Sequence, residues 1–299
     1  MTRIALSIVG PTASGKSALA MELARRHRDL ELVSVDSMQV YRGMDIGTAK
    51  ASHVEQAEVR HHLIDLVDPD DDYTVSRFQA DVAVALADIA SRGNRAVFVG
   101  GTGLYLRAAV DGLEIPARYP AVRAELDAEP DTAALHGRLV ELDPTAAGRM
   151  EPENRRRVVR ALEVTLGSGR PFSSFGPGLG TYPALSFPIV GLRLGRVELD
   201  GRIAGRYAAQ IEAGFVDEVR TLAARPRPMS ATARQALGYR ELLDHLAGES
   251  SLDVAIDRAT ARTRRFARRQ DRWFRRDPRI AWIDAGHNAL ADTAAILGD

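Results

Sequence analysis

The stretch GPTASGKS places Gly10, Pro11, Thr12, Ala13, Ser14, Gly15, Lys16 and Ser17 in the spacing GxxxxGK[ST]. In that spacing the backbone N–H groups of a glycine-rich loop converge on a phosphate at the start of a helix. The lysine reaches the terminal phosphate, and the Ser17 hydroxyl is positioned to hold a magnesium ion. Lys16 is one of only two lysines in the chain; the remaining basic residues are arginine. An ammonium is a compact point charge, whereas the wider planar guanidinium does not fit the same nest. That gives a physical reason for a lysine here in a chain that elsewhere uses arginine. The loop identifies a phosphate, not the molecule that carries it.

The elements around the loop have the character the motif requires. RIALSIVG, residues 3–10, is a short apolar run that reads as a buried strand, and SALAMELARR from Ser17 has helical spacing. LELVSVDS is a second apolar strand ending at Asp36, and HLIDLV, residues 62–67, is a candidate third. VSRFQADVAVALADIASRG reads as an amphipathic helix, followed by a strand running to Gly100 and a helix beginning near Thr102. This alternation predicts an α/β fold: a phosphate-loop, NTPase-like parallel sheet with helices on both faces. Ligands of such sheets bind at the carboxyl ends of the strands, where Asp36, Gly101 and Thr102 fall beside the loop. Asp36 reads there either as a proton acceptor or as the cap of the next turn.

From about Pro116 short helical stretches follow one another without a convincing strand, ending in a Gly-, Pro-, Ser- and Phe-rich loop over residues 169–183. The expected organisation is a catalytic core of residues 1–115 and 185–299 with a helical insertion over 116–184. FPIVGLRL, residues 187–194, is a return strand, and IAWID, residues 280–284, a last short one. In the long helix between them, Arg258, Arg262, Arg265, Arg269, Arg272 and Arg276 form one stripe. Ala259, Phe266 and Trp273 form an apolar stripe beside it, with Gln270 among them.

With 299 residues and 45% hydrophobic composition, the chain can bury a large core. It has no cysteine, which excludes disulfides, thiolate metal sites and a cysteine nucleophile. No signal peptide opens it and no apolar run approaches the ~20 residues that span a bilayer, so a cytoplasmic protein without membrane contact is expected. The formal charge is zero, but the arginine stripe and a second cluster at Arg155, Arg156 and Arg157 are locally basic. Local charge sets the field a ligand meets, and two arginine clusters fit either a solvated surface or a phosphate backbone.

GPTASGKS, together with DSMQVYRGMDIGTAK from Asp36, VGGTGLYLRA, RALEV and RQDRWFRR, closely resembles the tRNA dimethylallyltransferase (isopentenyltransferase) family over essentially the whole chain. The resemblance implies transfer of the dimethylallyl group of dimethylallyl diphosphate to the exocyclic N6 of the adenosine just 3′ of the anticodon, with magnesium required. It implies Asp36 as the base that takes the proton of a poorly nucleophilic amine. It assigns Arg206 of RIAGR to the diphosphate and Thr102 to the active site, against either the diphosphate or the base. The resemblance also puts Asp36, Ser37, Met38 and Gln39 on the flipped base, with support from Arg123. Arg156, Arg157, Val158, Val159 and Arg160 go against the anticodon stem-loop. Arg156 and Arg160 are thereby expected to be exposed. EPEN and RQD depart from the family's usual HPND-like and RQR sequences, which puts the detailed RNA contacts in doubt. A monomer is expected, with possible ATP binding at the loop. The rivals are a small-molecule or nucleotide kinase, since such a loop predicts ATP first, and a transferase acting on free adenosine phosphates.

Overall fold

The computed structural model describes residues 3–176, 178–286 and 288–297. The chain gathers into two compact units, Met1–Val110 with Ala184–Asp299, and Asp111–Pro183.

Six strands make one sheet in the first unit: β1 (Arg3–Val9), β2 (Leu30–Ser34), β3 (His61–His62), β4 (Arg95–Gly100), β5 (Ile189–Arg193) and β6 (Ile280–Asp284). Their order is β3-β2-β4-β1-β5-β6, every pair parallel. Side chains alternate between the faces of a strand, and here both faces are covered, so the strands appear in the sequence as continuous apolar runs. Leu6, Ile8, Leu32, Val97, Val190 and Leu192 pack on one side with α1 (Lys16–Arg26) and α14 (Ala289–Leu297). Val33, Ala96, Phe98 and Ile189 face the other side. There they meet α3 (Val75–Ser91), α4 (Gly103–Val110), α9 (Arg196–Glu212), α10 (Phe215–Ala223), α12 (Tyr239–Leu246) and α13 (Leu252–Phe274). Two short helices, α2 (His53–Glu58) and α11 (Ala231–Arg234), complete this unit. Among the described residues no helix is long and apolar enough to cross a membrane.

Two expectations change. The third strand is only two residues long, because Leu63 and Asp65 adopt left-handed backbone conformations (φ 62° and 54°) that cannot continue a ladder. The rest of that apolar run pairs with a loop instead: the N–H groups of Leu66 and Val67 donate to the Val40 carbonyl at 2.8 and 3.0 Å. The buried seam of α13 is Ala255, Ala259, Thr263, Ala267, Gln270 and Phe274, while Phe266 and Trp273 are half-buried on its flank.

The second unit is helical: α5 (Pro120–Ala128), α6 (Thr132–Leu142), α7 (Pro144–Ala147) and α8 (Arg155–Ser168). Its core joins Leu126, Leu135 and Leu139 to Val158, Val159, Ala161 and Leu162. Asn154 caps α8 by accepting from the Arg157 N–H, which suits an Asn at a helix start. Val158 and Val159 are completely buried, so they hold α8 in place and have no side-chain surface to offer RNA. Arg160 also departs from expectation. Its guanidinium donates to the buried Glu163 carboxylate and to the Pro116 carbonyl, both at 2.8 Å, while the Tyr119 N–H donates to Glu163 at 2.9 Å. Arg123 pairs with Asp127 at 2.7 Å. A buried carboxylate that loses a charged partner is costly, because nothing replaces its hydration. Arg160→Ala should therefore destabilise the helical unit by about 1–3 kcal/mol. Arg156→Ala, at an exposed position, should stay within about 0.5 kcal/mol. Urea unfolding of the two variants checks this; equal midpoints would remove the structural role of Arg160.

Candidate active site

Strand β1 lies inside the sheet between β4 and β5, and its carboxyl end runs directly into the phosphate loop. At Gly10 (φ 145°) a Cβ would stand 2.7 Å from the Leu192 carbonyl oxygen, so only glycine lets the loop leave the sheet this close to β5. The loop ends at Gly15, which starts α1 without a side-chain cap and with no acidic residue in the first turn. The free amides and positive dipole end of α1 are therefore left for an outside anion.

Lys16 is 9% exposed and its Nζ donates to the Pro11 carbonyl at 2.6 Å. Burial lowers its pKa to about 8 against the opposing pull of the Asp36 carboxylate, with Arg206 adding to the lowering. Arg206, on α9, donates to the Thr12 hydroxyl at 3.1 Å and to the Gly47 carbonyl at 3.2 Å, and burial lowers its pKa too. Two partly desolvated cations thus converge on the loop, and an anion there relieves the cost of their burial.

The ends of β2 and β4 supply the other side. The Val35 N–H donates to Val99 at 2.8 Å and the Thr102 N–H to Val35 at 3.3 Å, which fixes the two strand ends together. The Thr102 hydroxyl accepts the Ser37 N–H at 3.3 Å, and the Asp36 carboxylate accepts the Met38 N–H at 2.8 Å. Asp36 therefore both closes the turn and keeps a second carboxylate oxygen for a ligand. Ser37, Met38 and Gln39 follow on the same half-exposed turn. Gln39 is already engaged: its amide oxygen accepts from Ser34 at 2.7 Å and its nitrogen donates to the carbonyls of Thr48 and Ala49.

Residues outside the sequence reading hold these parts. The Glu218 carboxylate accepts the N–H groups of Asp45, Ile46 and Gly47 at 2.9, 2.7 and 3.2 Å and the Tyr239 hydroxyl at 2.6 Å. Gln210 donates to the Ile46 carbonyl at 2.5 Å. The loop that supports Arg206 is thereby clamped from both sides. Its sequence signature is the Gly47 position alone, because Glu218 and Gln210 look like ordinary helix-surface residues. Lys50, the second lysine, is buried between Asp45 and Asp65 at 2.5 and 2.6 Å, with the Tyr41 carbonyl at 2.8 Å, and so fixes this loop's base.

Ser17, at the second position of α1, carries an exposed hydroxyl. Among the described residues no group of three or more His, Cys, Asp or Glu is arranged to hold a metal. A lone hard oxygen such as the Ser17 hydroxyl is the kind of protein donor magnesium accepts, one or two of them alongside phosphate oxygens and water.

In the helical unit, Arg156 and Arg157 are exposed. In the first unit, Arg258, Arg265, Arg268, Arg269, Arg272 and Arg276 are exposed along α13, whereas Arg262 is tied to Glu241 at 3.0 Å and Arg264 to the Asp200 carbonyl at 3.3 Å. Asp271, the departure in RQD, pairs with Arg275 at 2.7 Å.

An all-parallel sheet whose inner strand β1 runs into a glycine-rich loop, with a carboxylate and a threonine at neighbouring strand ends and an arginine of α9 beside them, places the chain in the α/β class. The IPP transferase family matches residues 39–277, and an isopentenyl transferase family matches residues 3–67. The tRNA dimethylallyltransferase of Kineococcus radiotolerans is 48% identical, over 94% of this chain and 90% of its own. That of a Nocardioides species is 47% identical over 97% and 94%. Among solved structures, the tRNA isopentenylpyrophosphate transferase of Bacillus halodurans is 35% identical with a TM-score of 0.70, over 100% of this chain and 97% of that one. A eukaryotic dimethylallyltransferase acting on tRNA is 27% identical with a TM-score of 0.81, over 99% and 78%. The chain belongs to the IPP transferase family and is a prenyltransferase; the kinase alternative finds no support.

The lowered Lys16 pKa has a testable sign. Its cationic form is the one that binds an anion, and it is lost as pH rises through about 8 in the free protein. Affinity for inorganic diphosphate, measured calorimetrically, should be level below pH 8 and weaken by up to about tenfold per pH unit above it. Affinity unchanged to pH 10 would mean that Lys16 titrates as an ordinary exposed lysine.

Proposed function

We propose that the protein transfers the dimethylallyl group of dimethylallyl diphosphate to N6 of the adenosine just 3′ of the tRNA anticodon. One observation carries this reading: Lys16 and Arg206 converge on the phosphate loop from one side while Asp36 and Thr102 occupy the adjoining strand ends. A diphosphate held at the loop places its allylic carbon toward the carboxylate. The N6 lone pair attacks that carbon, the carbon–oxygen bond breaks, and its electrons leave with the diphosphate. The N6 proton passes to the Asp36 carboxylate, which offsets the weak nucleophilicity of an amine conjugated with the ring. Lys16, Arg206 and the first-turn amides of α1 stabilise the charge that grows on the leaving oxygen. Magnesium, when bound, would sit on the Ser17 hydroxyl and supply further charge neutralisation to the diphosphate. The base has to leave the stack of the anticodon loop to reach Asp36, and the turn at residues 36–39 is the surface that would receive it. Backbone phosphates of the stem are the natural partners of Arg156 and Arg157. A cytoplasmic setting, where tRNA is found, goes with this reading.

Radiolabelled dimethylallyl diphosphate offered with tRNA, free AMP, or both should label the tRNA alone. Label in AMP, or in neither acceptor, would overturn the assignment. Asp36→Asn is nearly isosteric and cannot accept the proton, so single-turnover transfer should fall by ~10²-fold or more with diphosphate affinity kept. Near-normal turnover in that variant would exclude Asp36 as the base.

Contact with RNA through phosphates has a signature in salt. Replacing Arg156 and Arg157 together with alanine should weaken tRNA binding and flatten its log–log salt slope by about one to two units. Affinity for dimethylallyl diphosphate should stay unchanged. Filter binding across a salt series measures both, and identical slopes would mean that these two arginines are only a solvated helix face.

A further inference from the structure

Gln270 lies on the buried seam of α13, 7% exposed, and both ends of its amide are engaged. The Oε1 atom accepts the Thr12 N–H at 2.8 Å, and Nε2 donates to the Gly101 carbonyl at 2.9 Å. Each contact joins functional machinery. Thr12 belongs to the phosphate loop and its hydroxyl receives Arg206; Gly101 immediately precedes Thr102, which receives the Ser37 N–H beside Asp36. A single neutral side chain therefore spans the loop that holds the leaving group and the strand end that carries the base-side residues.

The close fit is enforced from below. A Cβ at Gly101 would lie 2.2 Å from Nε2 of Gln270, and one at Gly103 would lie 2.0 Å from Nε1 of Trp273. Gln270 and Trp273, three residues apart on one helix face, can dock only because residues 101 and 103 lack side chains. The chemistry is equally restrictive. The position needs an acceptor at one end and a donor at the other, on a planar group, without net charge beside Lys16 and Arg206. Among the side chains of this length only an amide meets all of these conditions when the alternative is an ionised carboxylate.

We propose that Gln270 is a positioning residue that sets the separation between the leaving-group loop and the Asp36–Thr102 ledge, without touching either substrate. The proposal rests on the reaction assigned above. In-line displacement is sensitive to that gap, since misplacement by about 1 Å can cost ~10²-fold in rate while each substrate still binds.

Two variants test it, each assayed per folded molecule, with the folded fraction taken from thermal unfolding. Gln270→Met keeps length and apolar packing but makes neither hydrogen bond. Its single-turnover transfer should fall ~10- to 100-fold, with the dissociation constants for dimethylallyl diphosphate and tRNA each kept within about threefold. Gln270→Glu adds a diagnostic. The protonated acid can accept from Thr12 and donate to Gly101 as the amide does, whereas the carboxylate cannot donate. Burial raises the new carboxyl's pKa while the Lys16 and Arg206 cations lower it; wherever it falls, transfer by this variant relative to wild type should be highest below that pH and fall as pH rises through it. A merely structural role would move the unfolding midpoint with pH and leave the rate per folded molecule level. Wild-type transfer accompanied by a normal rate in Gln270→Met overturns the proposal. So does a loss of diphosphate affinity that accounts for the whole loss of rate, because Gln270 would then serve the loop alone. Absence of transfer by the wild-type protein overturns the reaction itself, and the proposal with it.

Discussion

Taking an ammonium ion out of water requires something to stand in for its hydration, and most of the active face is arranged around that requirement at Lys16. The Pro11 carbonyl receives one of its protons and the Asp36 carboxylate opposes the effect of burial, yet its pKa still settles near 8. Arg206, lowered in the same direction, faces the same loop. The two cations are thus only partly neutralised by the protein, and in the proposed reaction the diphosphate completes their neutralisation. The other lysine obeys the same rule with the opposite outcome, because Asp45 and Asp65 complete its shell permanently. One buried ammonium is left for the proposed diphosphate; the other fastens a loop.

The supporting structure follows from keeping those cations in place. Arg206 depends on the Gly47 carbonyl, and that loop is held by its own amides against Glu218 and by Gln210 on its carbonyls. The glycines at 101 and 103 leave room for α13 to approach the strand ends. Packing, charge and backbone geometry all limit the same few ångströms, which is how a site made from separate segments keeps its distances.

What could be read from the sequence was what is local. Strands buried on both faces show as apolar runs, so β1, β4, β5 and β6 were visible, and the phosphate loop carries its own spacing. The run over residues 62–67 misled because hydrophobicity does not encode the left-handed turns at Leu63 and Asp65. The apolar stripe read on α13 holds Ala259 and Gln270 correctly but takes Phe266 and Trp273 for core because large side chains dominate a periodicity, whereas the seam runs through Ala255, Thr263, Ala267 and Phe274 instead. Arg160 stood in a run of arginines that looked uniform, and only the fold distinguishes the one bound to a buried glutamate. Gln270 stands out on its helix but shows no role in the sequence, since its two partners lie 258 and 169 residues away in the chain.

That last separation has a bearing on how the protein is made. Chains emerge from the ribosome with the N-terminus first, and long-range contacts are the slow ones to form. β1 with its loop precedes in the chain both the strand at Ile189 that flanks it and the Gln270 side chain tied to it, so it has to wait for each of them during synthesis. On the positioning role proposed for Gln270, the gap between the two halves of the site is set only once residue 270 has been made. A chain cut before that residue would carry the loop without the contact proposed to fix its distance.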